Sequence, residues 1–380
     1  MNIHDWRSRL VLQKCRLQKK VLIVTLPFLK IPGSYPSIFP KADLSFISFQ
    51  KHKGAISPDL REEKEIIDIS KIENLNHHFK LVEQYWKTGS FWPQWQFLEG
   101  DFIRLSNAGF SIKKRDLVFY KKIIKQVSKL FASWIERFVI QNRIESICVY
   151  GRGHWSMNAA AAVARGLNIP LFVVERGILA NTIIVDINMP FTFPGSIFRK
   201  NWREFLQIKV QRKKSLVSYK DTKWGVYLSY SSKTLKKKII KYPLPLAIFI
   251  GQCHFDLNLS NAPFDDSLSF IKLCISRLPG NKWATLLYRP HPLSPEVFKT
   301  NKILIDQNHV IIDYSNPKYL FHKNPYIITW NSTLGLEASL FFNCEVKALD
   351  HSCYYKDVLD NPDHKIKFLE FLQEVSIKET

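Results

Sequence analysis

The sequence predicts an α/β protein made of two doubly wound, Rossmann-like domains that face each other across a cleft. Short apolar runs alternate with helical stretches in both halves of the chain. The chain has 380 residues, which is enough for two cores, and prolines interrupt the helical pattern at 242–245. We therefore place an N-terminal domain at 1–242 and a C-terminal domain at 243–380.

In the N-terminal half, four apolar runs are predicted to be strands, at 20–27, 42–49, 144–150 and 169–175. The alanine-rich run 156–167 is predicted to be the helix that joins the last two strands in a β–α–β unit. Residues 116–143 form the longest predicted helix, since apolar side chains recur at helical spacing. Its other face carries Lys121, Lys122, Lys125, Lys129 and Arg137. Two interpretations stay open, a core-facing helix with a solvated basic face and a helix that lies on an anionic membrane.

The C-terminal half alternates more regularly. Strands are predicted at 246–251, 282–288, 310–312, 326–329 and 344–348, with helices at 265–277, near 317–322 and at 333–341. Strands that alternate with helices imply a second parallel sheet.

Charge is the unusual feature of the composition. The formal net charge is +22, and a surface this basic attracts polyanions such as nucleic acid, anionic lipid or phosphorylated substrates. We expect no nucleic-acid partner, because the chain carries no known nucleic-acid-binding signature. It has neither a run of about 18–20 apolar residues nor a signal-peptide core, so we expect a cytoplasmic protein. The scattered cysteines predict neither disulfides nor a metal site.

Three short motifs follow predicted strands. They are Glu175-Arg176-Gly177, His291-Pro292 and Asn331-Ser332-Thr333. Side chains just past the carboxyl ends of parallel strands lie at the crevice where open α/β sheets bind ligands. The motifs offer a carboxylate that can act as a base, an imidazole held by flanking prolines, and hydroxyls at a helix start that can hold a phosphate. This set suits the transfer of a group from a phosphate-activated donor.

Each motif also has a purely structural interpretation. Ser332 or Thr333 can be an ordinary helix cap, with Glu337 in the first turns of that helix. His291 can be structural, and Glu175 can pair with Arg176 at the surface. Asp186 is a second candidate carboxylate for the base.

Two further loops are expected to line the same cleft. Gly151, Arg152, Gly153 and His154 form a tight turn after a strand, which can bring backbone close to a phosphate or an acceptor. The turn lacks the spacing of a dinucleotide-binding fingerprint. Gln252 and Asp256 follow the first strand of the second half.

These residues resemble the capsule polysaccharide biosynthesis and export family, specifically its β-Kdo transferases of the GT-B group. The resemblance lies in four segments: 150–177 (YGRGHWSMNAAAAVARGLNIPLFVVERG), 251–256 (GQCHFD), 289–292 (RPHP) and 329–338 (TWNSTLGLEA). The chain is more distantly similar to bacterial sialyltransferases, which share an acidic pair plus Gly, a His-Pro pair and a Ser/Thr pair. Both groups use CMP-activated 2-keto acid sugars.

The resemblance implies a role for each motif. Glu175 would deprotonate the acceptor hydroxyl, and His291 would bind and protonate the CMP phosphate. Ser332 and Thr333 would hold that phosphate, with Glu337 near the ribose or cytosine. The chain departs from the family where Arg176 replaces a second acidic residue, and where 178–181 lacks an aromatic residue and Arg-Pro.

The residues predict transfer from a phosphate-activated donor by an enzyme that needs neither a metal nor a cofactor. The resemblance implies a glycosyltransferase that uses CMP-Kdo to build a capsule or surface polysaccharide or its lipid linker. The acceptor would bind to the N-terminal domain (1–242) and the nucleotide sugar to the C-terminal domain (243–380). The enzyme's partners would be the nucleotide sugar, a lipid-linked or saccharide acceptor and the anionic face of the inner membrane. Two alternatives stay open. One is a polyol-phosphate transferase that uses CDP-glycerol or CDP-ribitol, and the other is a non-catalytic basic scaffold for membrane or nucleic acid.

Overall fold

The computed structural model describes residues 11–24, 35–48, 66–68, 114–151, 155–193, 195–207, 242–252, 259, 262–264, 266–280, 282–291, 298, 300–351 and 353–378. Its strands are β1 (Lys20–Val24), β2 (Asp43–Ser48), β3 (Ile66–Asp68), β4 (Ser146–Tyr150), β5 (Leu171–Arg176), β6 (Thr182–Ile187), β7 (Leu246–Ile250), β8 (Thr285–Arg289), β9 (Lys302–Ile305), β10 (Asn308–Ile312), β11 (Tyr326–Thr329), β12 (Glu345–Ala348) and β13 (Ile377–Lys378).

The helices are α1 (Val11–Arg16), α2 (Tyr35–Ile38), α3 (Lys114–Gln141), α4 (Trp155–Gly166), α5 (Ile197–Leu206), α6 (Ser267–Ser276), α7 (Lys318–Phe321), α8 (Thr333–Phe342), α9 (Lys356–Asp360) and α10 (His364–Val375).

Both sheets have the doubly wound strand order. In the first sheet the order is β13-β6-β5-β4-β1-β2-β3, and the run from β3 to β5 is parallel. In the second sheet the order is β12-β11-β7-β8-β10-β9, parallel except for the edge strand β9. In each sheet the chain starts at a central strand, builds outward on one side and then crosses to the other side. The predicted fold class is confirmed.

Helices cover both faces of the first sheet. On one face, α3 and α4 pack over β4, and the α3 side chains Phe131, Ile135 and Val139 are buried there. On the other face, α1 and α2 lie over the first strands. The buried stripe supports the core-facing interpretation of α3 in its C-terminal half, while Lys129 and Arg137 are exposed.

The second sheet is also covered on both faces, by α6 on one side and by α7 and α8 on the other. Helix α8 approaches the sheet most closely at Gly335. A Cβ atom there would lie 2.9 Å from Thr329 Cγ2 and 3.3 Å from Val346 Cγ1. Only glycine allows this approach, which brings the start of α8 down onto the ends of β11 and β12.

The end of the chain returns to the first sheet. Strand β13 pairs antiparallel with β6, and α10 packs on α5. One apolar cluster therefore combines residues from both halves: Ile178, Ile184, Phe191, Phe198, Trp202, Phe205, Leu336, Cys353, Tyr354, Tyr355, Val358, Phe368, Phe371, Leu372 and Val375. We call it the shared aromatic cluster. The division at 242/243 stays a prediction, to which the structure adds that 377–378 belong to the first sheet.

Most predicted elements of the described chain are found within a few residues of their expected bounds. Strand β6 was not predicted, and it runs antiparallel to β5. Within the described ranges no helix is both long and apolar enough to cross a membrane. The five cysteines described there are free and buried.

Candidate active site

The switch point of the second sheet lies between β7 and β11. The chain leaves β7 toward β8 on one side of the sheet, whereas β11 is added on the other side. Gln252 follows β7 and Asn331 follows β11. Their side chains join across the gap: Gln252 Nε2 donates to Asn331 Oδ1 at 2.7 Å, and the Asn331 backbone N–H donates to Gln252 Oε1 at 3.0 Å. Asn331 Nδ2 in turn donates to Asp350 Oδ2 at 2.7 Å. Gln252, predicted to bind the donor, thus braces the crevice where a ligand would bind.

The first turn of α8 is fixed from several sides. Ser332 is its N-cap, and Ser332 Oγ accepts a hydrogen bond from the Leu334 N–H at 3.3 Å. The Ser332 N–H donates to Thr329 Oγ1 at 3.2 Å, and the Tyr355 hydroxyl donates to the Ser332 carbonyl at 2.6 Å. The capping interpretation is therefore correct for Ser332. The Gly335 N–H also donates to the Ser332 carbonyl at 2.9 Å, so the turn can offer an anion the Thr333 N–H and the positive end of the helix dipole.

His291 lies at the same edge of this sheet. It follows β8, whose neighbours in the sheet are β7 and β10. The Arg289 carbonyl accepts a hydrogen bond from the Gly251 N–H at 2.9 Å, which ties the end of β8 to the end of β7. Strand spacing then places the end of β8 roughly 10 Å from the end of β11, two strands away. A nucleotide phosphate and its ribose fill a distance of that order.

Glu175 lies at the carboxyl end of β5 in the first sheet. It is paired in register with Ile184 of β6, and side chains of directly opposed residues share one face of the sheet. Ile184 belongs to the shared aromatic cluster, so Glu175 faces the C-terminal half of the chain. Arg176 is exposed and, as the next residue of the strand, lies on the opposite face. Pairing of Glu175 with Arg176 is therefore not the geometry that the strand favours.

Tyr354 connects the shared aromatic cluster to the first turn of α8. Its ring is buried in the shared aromatic cluster, and its hydroxyl lies 3.5 Å from Thr333 Oγ1. Burial raises the pKa of the Tyr354 hydroxyl above its ordinary value. The hydrogen bond with Thr333 lowers it in part, and the carboxylates of Glu337 and Glu175 raise it further. The two carboxylates lie on different halves of the chain. The shared aromatic cluster joins these halves, since it contains both Ile184 of β6 and Leu336 of α8.

Glu337 is fully buried, one helical turn after Thr333 on the same side of α8. A charged side chain is rarely buried in a core without a specific reason. Because Glu337 has no exposed surface, it does not line the crevice in this structure.

Asp186 does not lie with these groups. Its carboxylate accepts hydrogen bonds from the backbone N–H groups of Ile187 at 2.6 Å, Ile197 at 3.0 Å and Phe198 at 2.8 Å. Two of these are the first N–H groups of α5. Burial raises the pKa of Asp186, and these N–H groups and Lys200 partly offset that effect. Both oxygens are occupied, so the structure gives Asp186 the role of fixing the start of α5.

Several predicted site residues lie outside the described residues: Arg152, Gly153, His154, Asp256 and Pro292. Gly151 is described, and it adopts a φ of +68° directly after β4. That conformation favours glycine and fits the predicted tight turn.

Asn331 belonged to a predicted motif but was given no role of its own, and three further residues at this site were not singled out from the sequence: Asp350, Tyr354 and Tyr355. The last three follow β12, which was predicted as a strand, so they lie past the carboxyl end of another parallel strand. Applying the strand-end rule to that strand as well would have identified them.

No protein-family model and no curated protein matches the chain. Among solved structures, it is similar to a UDP-GlcNAc 2-epimerase from Neisseria meningitidis bound to UDP-GlcNAc, at 12% identity over 94% of both chains, with a TM-score of 0.34. It is also similar to the glycosyltransferase SnogD from Streptomyces nogalater, at 12% identity over 94% of this chain and 95% of that one, with a TM-score of 0.30. TM-scores of this size support no argument about this chain, so its fold class rests on its own two sheets.

Replacing Asp186 with asparagine should destabilise the fold, because the Asp186 carboxylate holds the start of α5. Asparagine has one acceptor oxygen where aspartate has two. At least one of the backbone N–H groups that Asp186 binds would therefore lose its partner. We expect a loss of about 1–3 kcal/mol, the cost of leaving a buried donor without a partner. Urea unfolding followed by circular dichroism measures it.

The matched control is Asp363→Asn, at the N-cap position of α10, where the aspartate makes no capping hydrogen bond. Its effect should stay below about 0.5 kcal/mol. Equal stability of the two variants would show that Asp186 does not hold α5.

Proposed function

We propose that this protein is a two-domain glycosyltransferase of the GT-B type, which transfers a 2-keto acid sugar from a CMP-activated donor, with CMP-Kdo as the expected donor. Its product would be a capsule or surface polysaccharide, or the lipid linker of one. The observation that carries the proposal is the packing of Tyr354 between the two halves of the chain. Its ring contacts Phe191 and Phe198 of the N-terminal half, and its hydroxyl lies 3.5 Å from Thr333 at the start of α8. Glu175, at the carboxyl edge of the first sheet, is paired with Ile184, a member of the same cluster.

Glu175 supplies the base. Its carboxylate takes the proton from an acceptor hydroxyl as the hydroxyl oxygen bonds to the anomeric carbon of the donor sugar. The bond between that carbon and the phosphate oxygen breaks, and its electron pair leaves with CMP. A positioned carboxylate accelerates such a step by roughly 10²–10⁴.

The start of α8 receives the leaving phosphate. Negative charge grows on that phosphate as the bond breaks, and backbone N–H groups aimed at it stabilise the charge. Ser332 and Thr333 provide this turn, and His291 approaches from the end of β8 to donate a proton or a hydrogen bond. Glu337 would lie near the ribose or the cytosine, as the family resemblance implies, and it is fully buried one helical turn after Thr333.

A panel of activated donors tests the proposal directly. The protein is incubated with CMP-Kdo, CMP-sialic acid, CDP-glycerol, CDP-ribitol and UDP-GlcNAc, and the released nucleotide is quantified. Release of CMP from the CMP-sugars alone is the expected result. Turnover of the CDP-polyols would assign the polyol-phosphate chemistry instead, and no turnover of any donor would support a non-catalytic scaffold.

Glu175→Gln should lower the rate of CMP release from the active donor by roughly 10²–10⁴, because the amide cannot accept the acceptor's proton. Affinity for CMP should remain, since Glu175 lies on the acceptor side. The control is Glu136→Gln, an exposed carboxylate on α3, which should match the wild type. Near-normal turnover by Glu175→Gln would remove Glu175 from the mechanism.

His291→Ala and Ser332→Ala should each weaken CMP binding by roughly 10- to 150-fold, since a hydrogen bond to a charged group contributes about 1.5–3 kcal/mol. Titration calorimetry with CMP measures the affinity. His309→Ala, an exposed histidine on β10, is the control and should bind CMP normally. Unchanged affinity in both test variants would mean that the nucleotide binds elsewhere.

We further propose that the +22 charge brings the enzyme to an anionic membrane surface, where a lipid-linked acceptor resides. Among the described residues, Lys14, Arg16, Lys19 and Lys20 are exposed together at α1 and the start of β1. Arg7 and Arg9, which also belong to this basic segment, lie outside the described residues. These cations lie at the amino edge of the first sheet, about 15 Å from the edge that carries Glu175. The acceptor's saccharide would therefore have to span that distance.

Sedimentation with vesicles tests the membrane proposal. Each cation near an anionic surface contributes about 1 kcal/mol, and salt screens it within a Debye length of about 8–10 Å. We expect binding to anionic vesicles that weakens as salt rises. Equal binding to neutral vesicles, or binding to nucleic acid but to no vesicle, would contradict it.

A further inference from the structure

The Tyr354 ring is held in place from several directions. It packs edge-on against Phe191 at a centroid distance of 5.6 Å, against Phe198 at 6.3 Å and against Tyr355 at 4.9 Å. Edge-on contacts between aromatic rings are favourable, and together they define the ring's orientation. Phe191 and Phe198 come from the N-terminal half of the chain. The hydroxyl at the tip of this ring is consequently fixed relative to both halves.

That hydroxyl reaches Thr333, the first residue of α8. The distance between Tyr354 Oη and Thr333 Oγ1 is 3.5 Å, and either hydroxyl can be the donor. Thr333 is half-buried, whereas Tyr354 is buried. Thr333 is therefore the member of the pair that a bound ligand can reach.

A phosphate at the start of α8 decides which hydroxyl donates. An ionised phosphate can only accept hydrogen bonds, so Thr333 must donate to it. Thr333 has one hydroxyl proton, and its oxygen can then accept from Tyr354. The phenol remains protonated because burial and the neighbouring carboxylates oppose its ionisation. In this arrangement Tyr354 donates to Thr333 and Thr333 donates to the phosphate. Both hydroxyls then have hydrogen-bond partners.

We propose that Tyr354 is a positioning residue that orients the Thr333 hydroxyl toward the donor's phosphate. The inference rests on the proposed function, because it takes the start of α8 as the phosphate site. It adds a residue outside the sequence motifs, and it links the N-terminal half of the chain to phosphate binding through one hydroxyl pair.

A double-mutant cycle on CMP affinity tests the inference, with titration calorimetry as the readout. Thr333→Val removes the donor to phosphate and should weaken CMP binding roughly 10- to 100-fold. Tyr354→Phe keeps the ring and its packing and should weaken binding roughly 3- to 10-fold, because the Thr333 hydroxyl is no longer oriented. If Tyr354 acts through Thr333, the double variant should bind no more weakly than Thr333→Val alone. Thr333→Ser retains the hydroxyl and should restore most of the affinity.

Tyr288→Phe is the matched control. Its hydroxyl is buried and pairs with Ser267 Oγ at 2.6 Å inside the second sheet's core, so its removal should leave CMP affinity unchanged. Thermal unfolding of every variant verifies that it is folded. Additive losses in the double variant, or wild-type affinity in Tyr354→Phe, would overturn the inference.

The donor panel separates this outcome from failure of the proposed function. If CMP binds with the expected coupling but no CMP-sugar is turned over, the proposed reaction fails while the positioning role of Tyr354 holds. If CMP-sugars are turned over and the cycle shows no coupling, the positioning role fails alone. If CMP does not bind at all, both are overturned.

Discussion

The shared aromatic cluster is the interaction on which the candidate site depends. It is built from α5 of the N-terminal half and from the segment after β12 together with α10, and its largest members are fully buried. The ring centroids of Trp202 and Phe368 are 5.0 Å apart, as are those of Phe198 and Phe371. The two halves of the chain therefore pack against each other through aromatic rings. Each buried aromatic side chain contributes about 1.5–3 kcal/mol of burial free energy. A cluster of this size can hold two sheet edges in one arrangement.

The cluster also reaches into the site. Tyr354 and Tyr355 are members of the apolar cluster, yet both use their hydroxyls at the first turn of α8: one lies near Thr333, and the other donates to the Ser332 carbonyl. On the other side, Asp186 fixes the start of α5, which places Phe198 against Tyr354. Asp186 thus acts on the site from a distance, through packing. Asp186, which the sequence offered as a second candidate base, uses its carboxylate to hold the start of α5.

Much of the fold could be predicted because the strands are short apolar runs separated by helical periodicity. The strand-end rule located Glu175, His291 and Ser332 at the carboxyl edges of their sheets, since parallel strands bring those ends together whatever their order along the chain. Strand β6 was harder to predict, because its direction depends on a turn of residues 177–181 that has no simple signature. Gly177 was predicted as part of a functional motif. It also lies close to Thr182 across this turn, where it closes the β5–β6 hairpin.

The return of the chain end to the first sheet could not be predicted from local patterns. Strand β13 has two residues, too few for any periodicity, and its pairing with β6 is a long-range contact. The roles of Tyr354 and Tyr355 depend on the same return, because α10 and the segment after β12 meet α5 only in the folded chain. Sequence patterns identify which residues occupy strand ends, while the partners of those residues follow from tertiary packing.

A crystal structure of the protein with CMP bound tests the central claim most directly. The claim is that the start of α8 is a phosphate site opposite the carboxyl edge of the first sheet. The predicted result is a CMP phosphate within hydrogen-bond distance of the Thr333 backbone N–H and hydroxyl, with His291 beside it and the Glu175 carboxylate facing it across the crevice. A nucleotide bound away from α8, or a first turn of α8 that is covered and inaccessible to the phosphate, would contradict the claim.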